Sequence, residues 1–234
     1  MDSLSSWLAW VSYTIPRSLL KVLYHKALIF LFGLYVNWLL RKTSFAVSVW
    51  RLIIHDYSKF SFLEFFVYAR HYFGQSGGAP DFPIAFKHHT EYNDHHAEHY
   101  WRDFKYPSTA EERRTFAVTA RVAPPQAVVE TIVAWMAAAV SYEGALPRVG
   151  QWKWPKAMSD NTGFHAQSEL LLHALLAYLG YWEEMGGITE FSRKCGVARR
   201  SARDAEWQRV TSDMVAMLRL EPHLNEYATF LLLA

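Results

Sequence analysis

The chain has 234 residues, of which 51% are hydrophobic and 16% aromatic, with a formal net charge of +2. This length suits one large domain, or one domain with an appendage, and the apolar content supports a substantial core and excludes a disordered protein. The sequence carries no motif specific to nucleic-acid binding. Cys195 is the only cysteine, which excludes an internal disulfide and a zinc site built from thiolates. Any metal must therefore be bound by nitrogen and oxygen atoms.

The N-terminal part of the chain is basic and free of acid. Between Asp2 and Asp56 there is no acidic residue, whereas the basic residues there are Arg17, Lys21, Lys26, Arg41, Lys42 and Arg51. Such a segment is typical of an amphipathic membrane-surface helix or a transit peptide, but a buried helix pair with a few basic charges explains it equally well. The apolar run 27–40 is shorter than the about 20 residues of a membrane span. Peripheral membrane contact through residues 1–42 is thus one of two interpretations.

Helical patterns dominate the rest of the chain, and strand signals are few. The predicted helices cover 18–42, 43–60, 62–73, a stretch from the AFKHH segment to about 102, 125–142, 168–182 and about 198–219. Ser61 and Glu64 form a capping-box pattern at the start of the third helix. We predict an all-α helical bundle with an N-terminal amphipathic segment (1–19), a helical domain (20–180) and a C-terminal helical extension (181–234).

The segment HHTEYNDHHAEH, residues 88–99, contains five of the eleven histidines. If it is helical, His95 and His99 stand at i and i+4, a spacing that can bind one metal ion, and His89 and His96 share a face. Imidazole nitrogens suit zinc and iron, and mixed imidazole and carboxylate sets suit manganese as well. A solvated polar turn rich in histidine is the alternative interpretation, and the cluster alone leaves both open.

A second group of polar residues follows an apolar run in RLIIHDYSKFS, residues 51–61. The adjacent His55 and Asp56 can present an imidazole and a carboxylate to the same ion, and Lys59 would neutralise an anionic substrate oxygen beside them. Asp56 and Ser58 are also ordinary residues of helix ends and turns. The pair becomes informative only together with the other histidines.

These blocks, in this order, resemble a small uncharacterised family catalogued as domain of unknown function 5662. The resemblance covers about residues 20–180 and rests on His25, on HDYSKF with Glu64 and Tyr68, on KHHTEYNDHH, and on Glu130 with Trp135. Members of that family carry an aspartate just before this tryptophan, where the present chain has Ala134. No function is established for the family, so the resemblance names relatives and not an activity.

The order of a histidine, a His-Asp pair and later histidines also looks like the HD superfamily of metal-dependent phosphohydrolases, which are helical bundles. That likeness implies metal ligands at His25, His55, Asp56, His89, His95 and His96, with Asp56 and Lys59 as the catalytic residues. It implies a divalent metal ion (zinc, iron or manganese) as the cofactor. It also implies that Ala134 weakens or abolishes one ion site.

Two functions are therefore expected from the sequence. The first is a metal-binding all-α protein that acts as a phosphohydrolase with a partly degenerate site. The second is a non-catalytic accessory subunit or scaffold, with protein partners in a larger membrane-associated assembly, for instance in mitochondria. Convergence of the histidines on one point favours the first, and a large unpartnered apolar surface favours the second.

Overall fold

The computed structural model describes residues 10–74, 78–102, 109–159, 163–199 and 205–233. Within these ranges the chain forms eleven α-helices and no strand, so the predicted all-α class is confirmed. The helices are α1 (Ile15–Leu39), α2 (Val49–Ile54), α3 (Phe62–Phe73), α4 (Phe82–Tyr92), α5 (Ala110–Thr119), α6 (Pro125–Glu143), α7 (Trp154–Ser159), α8 (Ala166–Tyr178), α9 (Gly187–Arg199), α10 (Ala205–Leu218) and α11 (Asn225–Leu233). A π-helical turn, Trp10–Thr14, leads into α1.

Two of the predicted helices are shorter than expected. The predicted helix 43–60 is reduced to α2, because the Asn37 side chain pairs with the backbone of Val47 at 2.7 and 2.8 Å and holds the preceding segment extended. The helix predicted to reach about 102 ends at Tyr92. There the main-chain oxygen of His89 accepts from both the main-chain N–H of Asn93 (3.1 Å) and its side-chain amide (2.7 Å), and the extended backbone of Asn93 ends the helix. In the C-terminal part, α9 and α11 were not predicted.

The centre of the bundle is α6, which is apolar and buried on nearly all faces. It packs against α1 on one side and α8 on the other. The C-terminal helices α9 to α11 close over α8, and their buried side chains belong to the same hydrophobic core as those of α1 and α6. The segment 181–234 therefore shares the core, while its standing as a separate extension stays a prediction.

The short helix α2 is held closely against α1 at Gly33. A Cβ atom on Gly33 would lie 2.5 Å from both methyl carbons of Leu52, whose side chain is buried. A side chain at position 33 would force Leu52 to shift. The close packing matters because α2 ends directly before His55 and Asp56, so Gly33 helps to set their position.

Residues Trp10–Leu39 form the one described helical stretch that is long and apolar enough to cross a membrane, judged by length and composition alone. The mean hydropathy of its most apolar 18-residue window is 1.6, and 22% of that window is buried. Core helices of soluble proteins and signal sequences pass the same test. The inward face of α1, which includes His25, Ile29 and Val36, is buried against the bundle.

Candidate metal centre

His55 and Asp56 form a sharp turn between α2 and a 3-10 turn at Tyr57–Phe60. Asp56 has φ 54° and ψ 27°, and it is the one non-glycine residue with positive φ among those described. A left-handed aspartate costs about 1–2 kcal/mol, so the surrounding structure must hold it. Lys26 of α1 does so, because its Nζ donates to the main-chain oxygen of His55 at 2.6 Å and to that of Ile53 at 3.0 Å. The turn directs both side chains into the bundle.

His25 and His55 direct their Nε2 atoms at the Asp56 carboxylate. The Nε2–Oδ2 distances are 3.6 Å for His25 and 3.4 Å for His55. The other ring nitrogen of each is already engaged, since Nδ1 of His25 lies 3.2 Å from the Ser141 hydroxyl and Nδ1 of His55 lies 2.7 Å from Glu130 Oε1. A carboxylate on Nδ1 fixes the tautomer that leaves Nε2 unprotonated, which is how metal-binding histidines are usually oriented.

His89 repeats this pattern from the opposite side, on α4. Its Nδ1 lies 2.9 Å from Oε2 of Glu64 on α3, and its Nε2 lies 3.4 Å from Asp56 Oδ1. Glu64 is fully buried and also accepts a hydrogen bond from His88. The Ser61 hydroxyl accepts from the Glu64 amide, as the predicted N-cap requires, but the Glu64 carboxylate binds the imidazoles and does not complete the capping box. Glu64 orients His89.

His95 and His96 follow the end of α4 and complete the cluster. Nε2 of His95 lies 3.6 Å from Asp56 Oδ1, and Nε2 of His96 lies 3.1 Å from Nε2 of His89. The main-chain oxygen of His95 accepts a hydrogen bond of 2.6 Å from Thr131 on α6, which fixes the turn against the core. Two Nε2 atoms at this separation either share a proton or face one ion.

Asp56 therefore lies between two groups of possible ligands. One group is His25, His55 and Asp56, and the other is Asp56, His89, His95 and His96; within each group the ligand atoms lie within 4.8 Å of one another. A third combination, His55, His95 and Glu130, meets the same criterion. Glu130, however, already accepts from Nδ1 of His55 and is paired with Arg51, so we treat it as an orienting residue.

The separations around Asp56 fit ion coordination better than direct hydrogen bonding. Nε2–O distances of 3.4–3.6 Å are too long for good hydrogen bonds. Four ligands that each lie 2.0–2.1 Å from a tetrahedral zinc are about 3.3 Å apart. Moreover, His55 Nε2 and Asp56 Oδ1 are buried without a hydrogen-bond partner. Because buried polar atoms are normally satisfied, these two atoms indicate a missing partner.

The histidines of the cluster are suited to bind a cation at neutral pH. Burial is the largest cause that holds the pKa of His25, His95 and His96 well below its ordinary value, and neighbouring positive groups act in the same direction. These imidazoles are therefore neutral at pH 7. A neutral imidazole is the form that coordinates a metal, so binding an ion need not displace a proton from these three side chains.

The carboxylate at the centre is ionised. Burial acts to raise the pKa of Asp56, but His55 and Lys59 lead the groups that outweigh it and hold the pKa well below its ordinary value. Burial likewise acts to lower the pKa of His55, and Asp56 with Glu130 reverses the sign and raises it. Lys59 donates to Asp56 Oδ2 at 2.6 Å and remains charged. The centre thus combines an ionised carboxylate with three neutral imidazoles, those of His25, His95 and His96.

The structure brings together all six residues predicted as ligands, with Lys59 beside them. His99 is placed elsewhere: the helix ends before it, its Nδ1 lies 2.9 Å from the main-chain oxygen of Glu91, and the predicted pairing with His95 is wrong. Sequence reasoning did not assign the roles of Glu64, Glu130 and Ser141. Only Glu130 offered a signal, as a carboxylate within a helix that is otherwise apolar.

The fold and this cluster define an all-α protein with buried histidine, aspartate and glutamate groups that could hold a metal ion. The model of a family described as "Family of unknown function (DUF5662)" matches residues 15–177. The chain belongs to that family. The matched range contains every residue of the cluster. No curated protein and no solved structure matches the chain.

Proposed function

We propose that the protein is a divalent-metal-dependent hydrolase of phosphate esters whose ions are bound on either side of Asp56. The observation that carries the proposal is the convergence of histidine Nε2 atoms on the buried carboxylate of Asp56, where His55 Nε2 and Asp56 Oδ1 both lack a hydrogen-bond partner. The order of the ligand residues resembles that of HD-type phosphohydrolases, which supports the reaction class by analogy. Zinc, iron and manganese all suit nitrogen and carboxylate ligands.

His25 and His55 with Asp56 would hold one ion, and His89, His95 and His96 with Asp56 the other. A divalent ion supplies a nucleophilic water near neutral pH and a Lewis acid for a phosphoryl oxygen. In the hydrolysis, the oxygen of water bonds to phosphorus, the bond from phosphorus to the ester oxygen breaks, and the alcohol leaves with a proton.

Lys59 has two roles in this proposal. Its ammonium lies 2.6 Å from Asp56 Oδ2 and compensates that buried charge. It also lies at the edge of the centre next to a cavity, where a fixed positive charge stabilises the charge that develops on a phosphoryl group. The Lys59 side chain is only 12% exposed, so its charge is less screened than that of a surface lysine.

Elemental analysis of the purified protein, before and after loading with zinc, iron(II) or manganese, tests the proposal. The wild type should retain stoichiometric metal after dialysis, and His55→Ala and Asp56→Ala should lose it. His99→Ala is the matched control, because His99 belongs to the same sequence segment but lies outside the ligand groups. A wild type that retains no more metal than His55→Ala would refute the metal centre.

We propose peripheral attachment to an anionic membrane as a second function, and the outward faces of α1 and α2 support it. Leu20 (66% exposed), Leu31 (62%), Trp38 (57%) and Trp50 (66%) lie there. Apolar and aromatic side chains beside basic residues, without any acid, suit the interface of an anionic bilayer. A protein partner in a larger assembly would cover the same face, and a mitochondrial location stays a prediction.

Sedimentation with lipid vesicles tests whether a membrane covers this face. Vesicles that contain phosphatidylserine should carry the wild type into the pellet, and pure phosphatidylcholine vesicles should do so less. Leu31→Glu should stay in the supernatant, whereas Ile84→Glu, at a residue of equal exposure on α4, should still sediment. A wild type that is monomeric and ignores both kinds of vesicle would refute the attachment.

A further inference from the structure

A cavity of about 180 Å³ lies directly beside the proposed centre, between α1, α3 and the end of α6. His25 and Lys59 belong to both the cavity wall and the centre. A ligand in this cavity would therefore lie next to the Oδ2 side of Asp56.

We propose that this cavity binds the organic group of a small aromatic phosphate monoester, with the phosphate at the end formed by Lys59 and His25. This proposal rests on the proposed function and adds the substrate class to it. Three properties of the cavity support the substrate class: its charge, its aromatic wall and its size.

The charge of the cavity wall favours an anion. Among the described residues that line it there are two lysines, Lys21 and Lys59, and no carboxylate. Lys21 donates to the main-chain oxygen of Ser141, and its Nζ lies 4.8 Å from the ring centroid of Tyr142. Both ammonium groups are thus fixed at the wall. In a partly buried site such charges attract a phosphate more strongly than they would in water.

The rest of the wall favours an aromatic group. Phe65, Tyr68 and Phe73 of α3 line the cavity together with Val22 of α1. Rings in such a wall pack against a ligand ring at offset or edge-on angles and exclude water from it.

The size of the cavity limits the organic group to about one ring. Sites for drug-sized ligands usually measure about 300–1,000 Å³. A nucleoside carries both a base and a ribose, so a nucleotide would project out of this cavity. The size of the cavity therefore favours an aryl phosphate over a nucleotide.

Calorimetric binding of phenylphosphonate and methylphosphonate to the metal-loaded protein tests this proposal, because neither compound can be hydrolysed. Phenylphosphonate should bind about 10- to 150-fold more tightly, the gain expected for burying a group of the size of a phenylalanine side chain. Val22→Trp fills the cavity and should remove this preference without changing the metal content. Leu23→Trp is the matched control, because the adjacent Leu23 points to solvent. Val22→Ala enlarges the cavity and should favour naphthylphosphonate.

The outcomes distinguish this proposal from the hydrolase proposal. Equal affinity for the two phosphonates in a protein that hydrolyses phosphate esters would overturn the cavity assignment alone. A preference for phenylphosphonate that Val22→Trp removes, without hydrolysis of phenyl phosphate, would support the cavity and overturn the hydrolase. Hydrolysis of a nucleoside monophosphate as efficient as that of phenyl phosphate would overturn the size argument. If Val22→Trp does not fold, the Val22→Ala result decides.

Discussion

Glu64→Gln is the sharpest test of how the centre is oriented. Glu64 is fully buried and accepts hydrogen bonds from Nδ1 of His88 at 2.6 Å and of His89 at 2.9 Å. A glutamine presents one acceptor and one donor in place of two acceptors. The new NH2 group would face an N–H group unless His89 changes its tautomer. That change would place the proton on Nε2, the atom directed at Asp56, and block coordination there.

The size of this effect follows from the lost contact. A hydrogen bond to a charged group contributes about 1.5–3 kcal/mol, which corresponds to a loss of about 10- to 150-fold in metal affinity. Mutations of residues that orient ligands typically cost about 10- to 100-fold. The loss should fall on the ion held by His89, His95 and His96, and leave the ion at His25 and His55 nearly unchanged.

Competition with a chromophoric chelator measures both affinities in one titration. Glu64→Gln should show one weakened step and one step of wild-type affinity, and far-UV circular dichroism should confirm that the variant is folded. Glu190→Gln, which removes a carboxylate paired with Arg193 far from the centre, serves as the control. Unchanged binding in a folded Glu64→Gln variant would refute the orienting role of Glu64.

Three further predictions use other parts of the chain. Gly33→Ala should displace Leu52 and weaken metal binding. Gly196→Ala has open space around its Cβ position and should stabilise its helix by up to about 1 kcal/mol. If the two variants changed the free energy of unfolding and the metal affinity equally, this prediction would be contradicted. His173 has no partner for either ring nitrogen, and burial lowers its pKa to about 3. Above about pH 6.5 this histidine is neutral in both the folded and the unfolded chain, so it does not make the free energy of unfolding depend on pH. As the pH falls from about 6.5 towards 3, only the unfolded chain gains the proton, and the free energy of unfolding decreases. Below about pH 6.5, His173→Leu should reduce the dependence of the free energy of unfolding on pH by about 1.4 kcal/mol per pH unit. At pH 7 it should raise the free energy of unfolding by about 1–3 kcal/mol. Unfolding curves measured at several pH values test both effects, and curves equal to those of the wild type would contradict them. Burial raises the pKa of Cys195 to about 12, so iodoacetamide at pH 8 should modify it only as fast as the protein opens; immediate modification would contradict its burial.

The sequence predicted the fold class from local helical signals, and the order of its histidine blocks named the residues that lie together around Asp56. Helical periodicity is local, and the adjacent His55 and Asp56 stand out after an apolar run. The role of Glu64 was not predictable in this way, since its position three residues after Ser61 favours a capping box while its partner His89 lies 25 residues further on. The end of α4 was missed because it depends on the Asn93 side chain. A tertiary contact decided the role of Glu64, and a local side-chain contact decided the end of α4.

The neighbours of Ala134 on α6 suggest another reason for the missing carboxylate at this position. Ala134 stands one turn after Glu130, which contacts His55, and two turns before Ser141, which contacts His25. It therefore lies on the face of α6 whose Glu130 and Ser141 contact the group of His25, His55 and Asp56, and an alanine supplies no ligand atom there. That group offers three protein ligands. Three ligands and one open position are the usual arrangement of a catalytic zinc, whereas structural sites are closed by four.

Ala134→Asp should therefore fill the open coordination position and should not restore activity. A carboxylate at this position would add a ligand and strengthen metal binding by about tenfold or more, the effect of one charge-assisted contact of about 1.5 kcal/mol. Turnover should fall, because the added ligand occupies the position that water or substrate needs. Ala134→Asn is the control of equal shape and should change neither quantity as strongly. If Ala134→Asp raised turnover together with affinity, the chain would indeed carry a degenerate site, and the open position would be a defect.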